Sequence, residues 1–443
     1  MEFGGCSCTH LFGLLEQEDD MHTLTELIRS DMKPALGVTE PGAIAFAVST
    51  AREHVEGEIQ SVKVYLNSGM YKNAFTCGIP NSDHVGNVFA AALGVVAGNP
   101  QKGLESLETV TAEDNRKAEE LVGQGKVEVY LDHIGSEITI DAEVRTEQDT
   151  CVVKIAGTHT EVYRIEKNGE VLFEKERKQV KEFAKNIIHQ YDLQEILQYV
   201  DEVGENEIMF IRDAFSMNME LLEEGLQSPR TSFGPMLKKQ NGGKLISNDE
   251  KRTAQLLCNG AIEARVLGLN KPAMSITGSG AHGIIATLPL FAYQQIHRED
   301  ISEYKLLRAT ALSHLITMYI KEYSGRLSAF CGCGIAAGTG MACGLCYLQG
   351  GNEAEISRVI CNMASGITGM ICDGGNQGCT MKGIVAVDAA FRAVEMAMES
   401  VAVDAVHGIN GKTPEETMKN MGRIASPGMI ETEETIVKIM QNK

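Results

Sequence analysis

Cys331-Gly-Cys-Gly-Ile-Ala-Ala-Gly-Thr-Gly-Met-Ala342 and, further on, Gly369-Met-Ile-Cys-Asp-Gly-Gly-Asn-Gln-Gly-Cys379 enclose the stretch around which the chain is organised. Seven of its twelve cysteines fall between Cys331 and Cys379. They are not equivalent. Cys343 and Cys346 sit in a run of Ala, Gly, Met and Leu with helical character, where cysteine acts as a small hydrophobe. One Cys-x-x-Cys pair is a weak metal or redox signal. Cys361, in Ile356-Ser-Arg-Val-Ile-Cys-Asn-Met-Ala364, reads as part of a buried helix face. Cys372 and Cys379 bracket Asp-Gly-Gly-Asn-Gln-Gly, which breaks a helix. With Cys331 at the glycine-rich start of another helix, these thiols can converge on one point, as a soft-metal or iron–sulfur site requires. Cys331, Cys372 and Cys379 are therefore the expected metal ligands.

A chain of 443 residues can form two or three domains around a large core. Its 43% hydrophobic and 23% charged residues are those of a soluble globular protein. A net charge of −20 argues against nucleic acid and anionic membrane surfaces as partners. Twelve cysteines without a signal peptide point to a reducing cytoplasm rather than a disulfide scaffold. No apolar run approaches about 18 residues, so no transmembrane helix is expected.

Residues 1–20, with Cys6 and Cys8, read as a disordered N-terminal extension. A helix from His22 to about Met32 is interrupted by Pro34. Thr39-Glu-Pro-Gly42 then signals a helix start, and the small apolar run Ala43–Glu53 a buried helix. Val62, Val64 and Leu66 alternate as a strand that leads into the polar turn Ser68-Gly-Met-Tyr-Lys-Asn73. Asn87–Gly98 is helical. Strands follow at Val127–Leu131, Glu137–Arg145, Cys151–Ala156 and Glu161–Lys167, with a hairpin at Lys167-Asn-Gly-Glu170. His159 reads as a strand-end histidine, and Glu174–Lys181 as a solvated, charge-dense bridge. Beyond it helices are expected at Glu182–Gln190, Leu193–Val203, Glu207–Glu224, Asp249–Val266, Ile284–His297 and Ile301–Tyr323, with Pro229–Gly243 a loop. His314 reads as a buried core histidine.

The expected fold is α+β with two lobes. A large, mostly helical lobe (241–443) carries the cysteines and packs with N-terminal helices in 21–55. A smaller α/β lobe spans 56–240, and the site lies in the cleft between the lobes. The helix start at Thr39 and Glu40 offers free N–H groups to an anion. Gly278-Ser-Gly-Ala-His-Gly283 brings backbone donors at Gly280 and the side chains of Ser279 and His282 to the same wall. No βαβ unit encloses it, so it is not a dinucleotide fingerprint.

The segments Lys33-Pro-Ala-Leu-Gly-Val-Thr-Glu-Pro-Gly42, Tyr71-Lys-Asn-Ala74, Thr277-Gly-Ser-Gly280, Arg326-Leu-Ser-Ala-Phe-Cys331 and Gly369-Met-Ile-Cys-Asp-Gly374 resemble the L-cysteine desulfidase family. That family is related to the catalytic domain of bacterial iron–sulfur L-serine dehydratases. The likeness runs from about Met21 to the C-terminus with motif order preserved. It implies a [4Fe–4S] cluster on Cys331, Cys372 and Cys379, with no pyridoxal phosphate. The implied reaction is β-elimination from a small amino acid, L-cysteine foremost and L-serine as the alternative. Glu40, His282 and Ser279 are the candidate catalytic groups; the base is not identified, Glu40 and His282 being candidates by residue type. Thr39, Ser68, Lys72, Asn73 and Gly280 are the implied substrate contacts. The chain departs from the family at Val38, where the family has a further cysteine, and at Ala281. A non-catalytic zinc or iron–sulfur protein is the reading from a different class. The oligomeric state stays open, a homodimer being one option.

Overall fold

The computed structural model describes residues 22–176, 187–325 and 327–443. Cys6, Cys8, most of the expected 182–190 helix, part of the 174–181 bridge and Arg326 lie outside the described residues. The fold is α+β. In chain order α1 (Thr23–Asp31), β1 (Lys33–Leu36) and α2 (Thr39–Glu53) precede β2 (Ile59–Asn67). The helices α3 (Ser68–Ala74), α4 (Gly86–Ala97) and α5 (Ala112–Gly123) lead to β3 (Val127–His133). The strands β4 (Thr139–Thr146), β5 (Thr150–Ala156), β6 (Val162–Lys167) and β7 (Glu170–Glu174) follow. Next come α6 (Leu193–Glu202), α7 (Glu205–Ile208), α8 (Arg212–Gln227), α9 (Phe233–Gln240) and α10 (Glu250–Val266). After β8 (Pro272–Ser275) the chain is helical: α11 (Gly280–Ile296), α12 (Glu303–Ser324), α13 (Gly338–Leu348), α14 (Glu353–Ile367), α15 (Gly378–Met398), α16 (Pro414–Ala425) and α17 (Ile430–Gln441).

The six-stranded sheet has the order β3-β2-β4-β5-β6-β7. Only β2 and β3 pair in parallel, and such a pair needs a crossover, here supplied by α3 to α5. The alternation in β4 buries Ile140, Ala142 and Val144 on one face, where they share a core with α2 and α4. The expected hairpin is present: Asn168 and Gly169 take φ of 51° and 85°, the left-handed pair that a two-residue turn favours.

Two packing expectations are corrected. Helix α2 was expected in the helical lobe, yet Ala43, Ile44, Ala47, Val48 and Ala51 belong to the core of the sheet lobe. Twelve of its fifteen residues are buried, so its sequence shows no polar face from which a partner could be read. Conversely, α6 to α9 were placed in the small lobe, but Ile196, Val200, Leu221 and Leu237 lie in the core of the helical lobe. Three local readings also change. Ser68–Ala74 is a short helix where a polar turn was expected over Ser68–Asn73, Phe233–Gln240 is a helix inside the expected loop, and α11 starts at Gly280.

Two connections tie the lobes around the site. Strand β1 pairs antiparallel with β8, from Lys33 opposite Ser275 to Leu36 opposite Pro272. The C-terminal α17 returns to the small lobe, where Ile436 and Met440 share a minor core with Ala329 and Phe75.

Candidate active site

The backbone places Cys331 and Cys372 together. Phe330 and Ile371 form an antiparallel bridge, closed by the Cys331 N–H on Met370 O (3.0 Å) and the Cys372 N–H on Ala329 O (2.6 Å). Each cysteine is one step from the bridged pair, so both side chains leave the same face, at a diagonal separation of about 7–8 Å. Cys379 joins them from the first turn of α15, its sulfur 3.4 Å from Gly374 O. A fourth thiol arrives with them. Cys333 opens a widened helical turn, Cys333–Ala337, in which the Ala336 and Ala337 N–H groups both reach Gly332 O, and such widened turns favour functional sites. By contrast, Cys343 and Cys346 are buried on α13, and Cys361 lies on α14 beside Thr417.

Three lysines surround the thiols. Lys72 acts on Cys372, Lys382 on Cys331, Cys372 and Cys379, and Lys321 is close to Cys331, Cys333 and Cys372. Hydrogen bonding from Cys333 brings the Cys331 thiol down to about 7, against the upward push of burial. The same contact and burial raise Cys333. Burial pushes Cys379 up to about 11, with Lys382 opposing. Lys382 is itself paired with Asp373.

Across from the thiols, α2 presents Thr39 and Glu40 in its first turn. The Asn73 amide donates to Glu40 Oε1 at 2.8 Å, and the Asn73 carbonyl oxygen lies 3.9 Å from the Cys372 sulfur. His159, carried by the turn between β5 and β6, holds Nε2 3.9 Å from Glu40 Oε1. Burial pushes the Glu40 carboxyl upward, but His159, then Asn73 and Arg265, outweigh it and leave it below its ordinary value. Glu40 is thus a buried carboxylate. Thr39 reaches Gly278 O at 3.4 Å. Thr39, His159, Thr277 and Gly278 line a cleft of about 510 Å³ between the lobes.

The far wall is the start of α11. Thr277 and Gly278 have φ of 49° and 75°, a conformation that a β-branched residue rarely adopts. Thr277 is held there by its N–H on Asp31 (2.5 Å) and its hydroxyl on His282 Nδ1 (2.5 Å). The other ring nitrogen of His282 faces Gly332, lying 2.6 Å from where a β-carbon on that glycine would stand. A glycine between the two cysteines is what lets the imidazole approach. Burial, with the charges of Lys321 and Arg265, holds His282 well below its ordinary 6.5, so the ring is neutral. Ser279 caps α11 without a side-chain cap bond, and Gly280 lies against the Arg265 guanidinium.

The expected site residues divide accordingly. Thr39 lines the cleft, Asn73 joins Glu40 to Cys372, His282 faces the glycine between Cys331 and Cys333, and Ser279 and Gly280 form the start of α11, Gly280 against Arg265. Ser68 does not serve as a free contact, because its hydroxyl accepts from the Gly135 N–H and donates to Gly135 O. Lys72 does bind a carboxylate, but it is that of Glu433 on α17, at 2.6 Å, and its ammonium also donates to Ser328 O. Val38 packs its γ-carbons against Gly375 in the Cys372–Cys379 loop. His159, read from sequence as a strand end, stands beside Glu40. Cys333, Lys321 and Lys382 were missed, although the repeated Cys-Gly-Cys-Gly was itself a signal for Cys333.

The donor set suits an iron–sulfur cluster. Soft thiols share a face, and the surrounding lysines compensate an anionic group. Among the described residues no three His, Cys, Asp or Glu side chains meet tightly enough to hold a metal ion. Each thiolate of a cluster binds its own iron, so the thiols must surround a space rather than meet at a point.

This fold, with its group of neighbouring thiols, is that of a dehydratase-type lyase family. The chain belongs to the serine dehydratase alpha chain family, whose model matches residues 101–438. It is 40% identical to a UPF0597 protein of Clostridium botulinum, covering 95% of this chain and 99% of that one. UPF0597 proteins of Caldanaerobacter subterraneus (39% identical; 96% and 99% covered) and Clostridioides difficile (36%; 94% and 99%) are similar to it over the same extent. No helix among the described residues is long and apolar enough to cross a membrane.

Proposed function

We propose that the protein is an iron–sulfur-dependent lyase that eliminates the β-substituent of a small amino acid, L-cysteine, giving sulfide and aminoacrylate, which water hydrolyses to pyruvate and ammonia. The observation that carries this reading is the emergence of Cys331 and Cys372 on one face of a backbone bridge, joined by Cys379 and ringed by Lys72, Lys321 and Lys382. Cys331, Cys372 and Cys379 would hold a [4Fe–4S] cluster. When bound, such a cluster with one iron free of protein thiolate supplies a Lewis acid for the substrate's oxygen or sulfur.

The protein's own groups supply the rest. Glu40 is a carboxylate and His282 a neutral imidazole, so both are in the basic form at neutral pH and either can accept the α-proton. Their burial keeps water from competing for that proton. The family description favours a second substrate, L-serine, which would give the same product with water leaving.

Anaerobic purification followed by iron and acid-labile sulfide analysis, a visible spectrum and a pyruvate assay with both amino acids tests the proposal. Iron and sulfide in equal amounts, lost on Cys331→Ala, Cys372→Ala or Cys379→Ala but retained in Cys343→Ala, are the expected result. Zinc without iron would overturn it and favour the non-catalytic reading.

A further inference from the structure

The buried charges of the site leave one cation unaccounted for. Arg265, near the C-terminal end of α10, is only 4% exposed. Its Nε is buried without a hydrogen-bond partner, and among the described residues no hydrogen bond or ion pair engages its guanidinium. A buried arginine cannot escape its charge by losing a proton, and an uncompensated buried charge is among the costliest features a fold can carry. Its position lies within the site. A β-carbon on Gly280 would stand 2.7 Å from Arg265 Nε, so the guanidinium is packed on the open start of α11, where Ser279 provides no side-chain cap. Glu40, His282 and Cys77 all feel its charge. Glu40 nonetheless makes no ion pair with it among the described residues; its carboxylate is held instead by Asn73, with His159 alongside.

A cation and an anion buried in one site and kept apart are complementary to a zwitterion. We propose that Arg265, together with the first N–H groups of α11, receives the α-carboxylate of the substrate, while Glu40 faces its ammonium group. The proposal rests on the lyase reading for the identity of the substrate, but the carboxylate site stands on the orphaned guanidinium. It gives the substrate carboxylate to Arg265 rather than to Lys72, an implied substrate contact whose ammonium is already occupied by Glu433. Planar, bidentate recognition of a carboxylate is the geometry a guanidinium provides and an ammonium does not.

The test uses unreactive probes on the intact, anaerobically purified protein. Titration calorimetry is run with L-alanine, which keeps both charges but has no leaving group, with propanoate, which lacks the amine, and with ethylamine, which lacks the carboxylate. Arg265→Met should weaken L-alanine and propanoate about 100-fold and leave ethylamine unchanged, with Arg265→Lys intermediate. Because the variant removes an unpaired charge, the Tm of Arg265→Met should equal or exceed that of the wild type. Unchanged affinity for L-alanine, carboxylate binding absent from the wild type, or a fall of many degrees in Tm with loss of iron would each overturn the assignment. Pyruvate release with an unaltered KM in Arg265→Met would remove the carboxylate site and leave the lyase reading intact. Arg265-dependent binding of L-alanine by a protein that releases no pyruvate would do the reverse.

Discussion

Replacing Glu433 by glutamine should destabilise the protein by about 3–5 kcal/mol, the usual cost of leaving one partner of a buried ion pair alone. Lys72 and Glu433 are 1% and 6% exposed, and their charged atoms lie 2.6 Å apart. At that separation and an effective dielectric of about 20, the Coulomb attraction is about 6 kcal/mol. Most of that attraction is offset by the desolvation of both groups, so the pair contributes little net stability while it is intact. Once Glu433 is neutral, the ammonium keeps the Ser328 carbonyl at 3.0 Å and an amide in place of a carboxylate. Neither compensates its charge. The double variant Lys72→Met with Glu433→Leu removes both charges and should return to within about 1 kcal/mol of the wild type. Urea unfolding followed by circular dichroism gives the energies, and amide hydrogen exchange over Ile430–Gln441 reports release of α17. A loss below about 1 kcal/mol in Glu433→Gln, with unchanged exchange in that helix, would refute the reasoning.

Three further outcomes are expected. Burial brings His314, whose ring nitrogens have no partner among the described residues, from 6.5 down to about 3. The unfolded chain therefore binds the extra proton between those values, and stability falls as pH drops below 6.5, by about 2 kcal/mol at pH 5 from this group. Denaturation at pH 5 and pH 7 should show His314→Leu with the shallower pH dependence, and equal slopes would count against it. Gly332→Ala sets a methyl group 2.6 Å from His282 Nε2 and 3.1 Å from Lys321 Cδ, so it should cost about 1–3 kcal/mol and displace the imidazole, read as lost pyruvate release. Val38→Cys places a thiol against the Cys372–Cys379 loop; slower bleaching of the visible spectrum in air is expected, and an unchanged rate would mean that the side chain does not reach the iron.

What the sequence disclosed and what it hid follow from the range of the interactions involved. The Cys372–Cys379 loop was legible because glycine, asparagine and aspartate break a helix locally. Most helix spans were legible from a 3.6-residue period. Helix α5 carried its own signal, the Thr111–Asp114 capping box, and was passed over. Helix α9 was masked by Pro235 and the glycines that follow it. The pairing of β1 with β8 joins segments at opposite ends of the first two-thirds of the chain, and four residues around a proline give no register to read. In sequence Arg265 is an ordinary cation in the last turn of a helix, favourable to its dipole. Only the absence of a partner among the described residues makes it conspicuous, and an absence has no sequence signature. His159 was hidden for the same reason: a polar residue at a strand end is unremarkable until the packing of α2 on the sheet brings Glu40 beside it.

The charge distribution narrows the substrate class further. The chain has 60 acidic against 40 basic residues, a surplus of −20, so its distant field repels anions, while four cations, Lys72, Lys321, Lys382 and Arg265, are drawn into the site. Three of the four are accounted for without substrate: Lys72 by Glu433, Lys382 by Asp373, and Lys321 by Gly325 O and its proximity to the thiols. A dicarboxylate would have to approach against the overall field and then place its second charge near Glu40. A monocarboxylate without an amine would satisfy Arg265 but leave Glu40 facing an apolar group. A zwitterionic amino acid carries no net charge for the distant field to act on, and it matches both buried charges on arrival. On this reading its association should depend only weakly on ionic strength, since long-range steering of a neutral ligand is small, and selection is made by the paired charges inside rather than by the field outside.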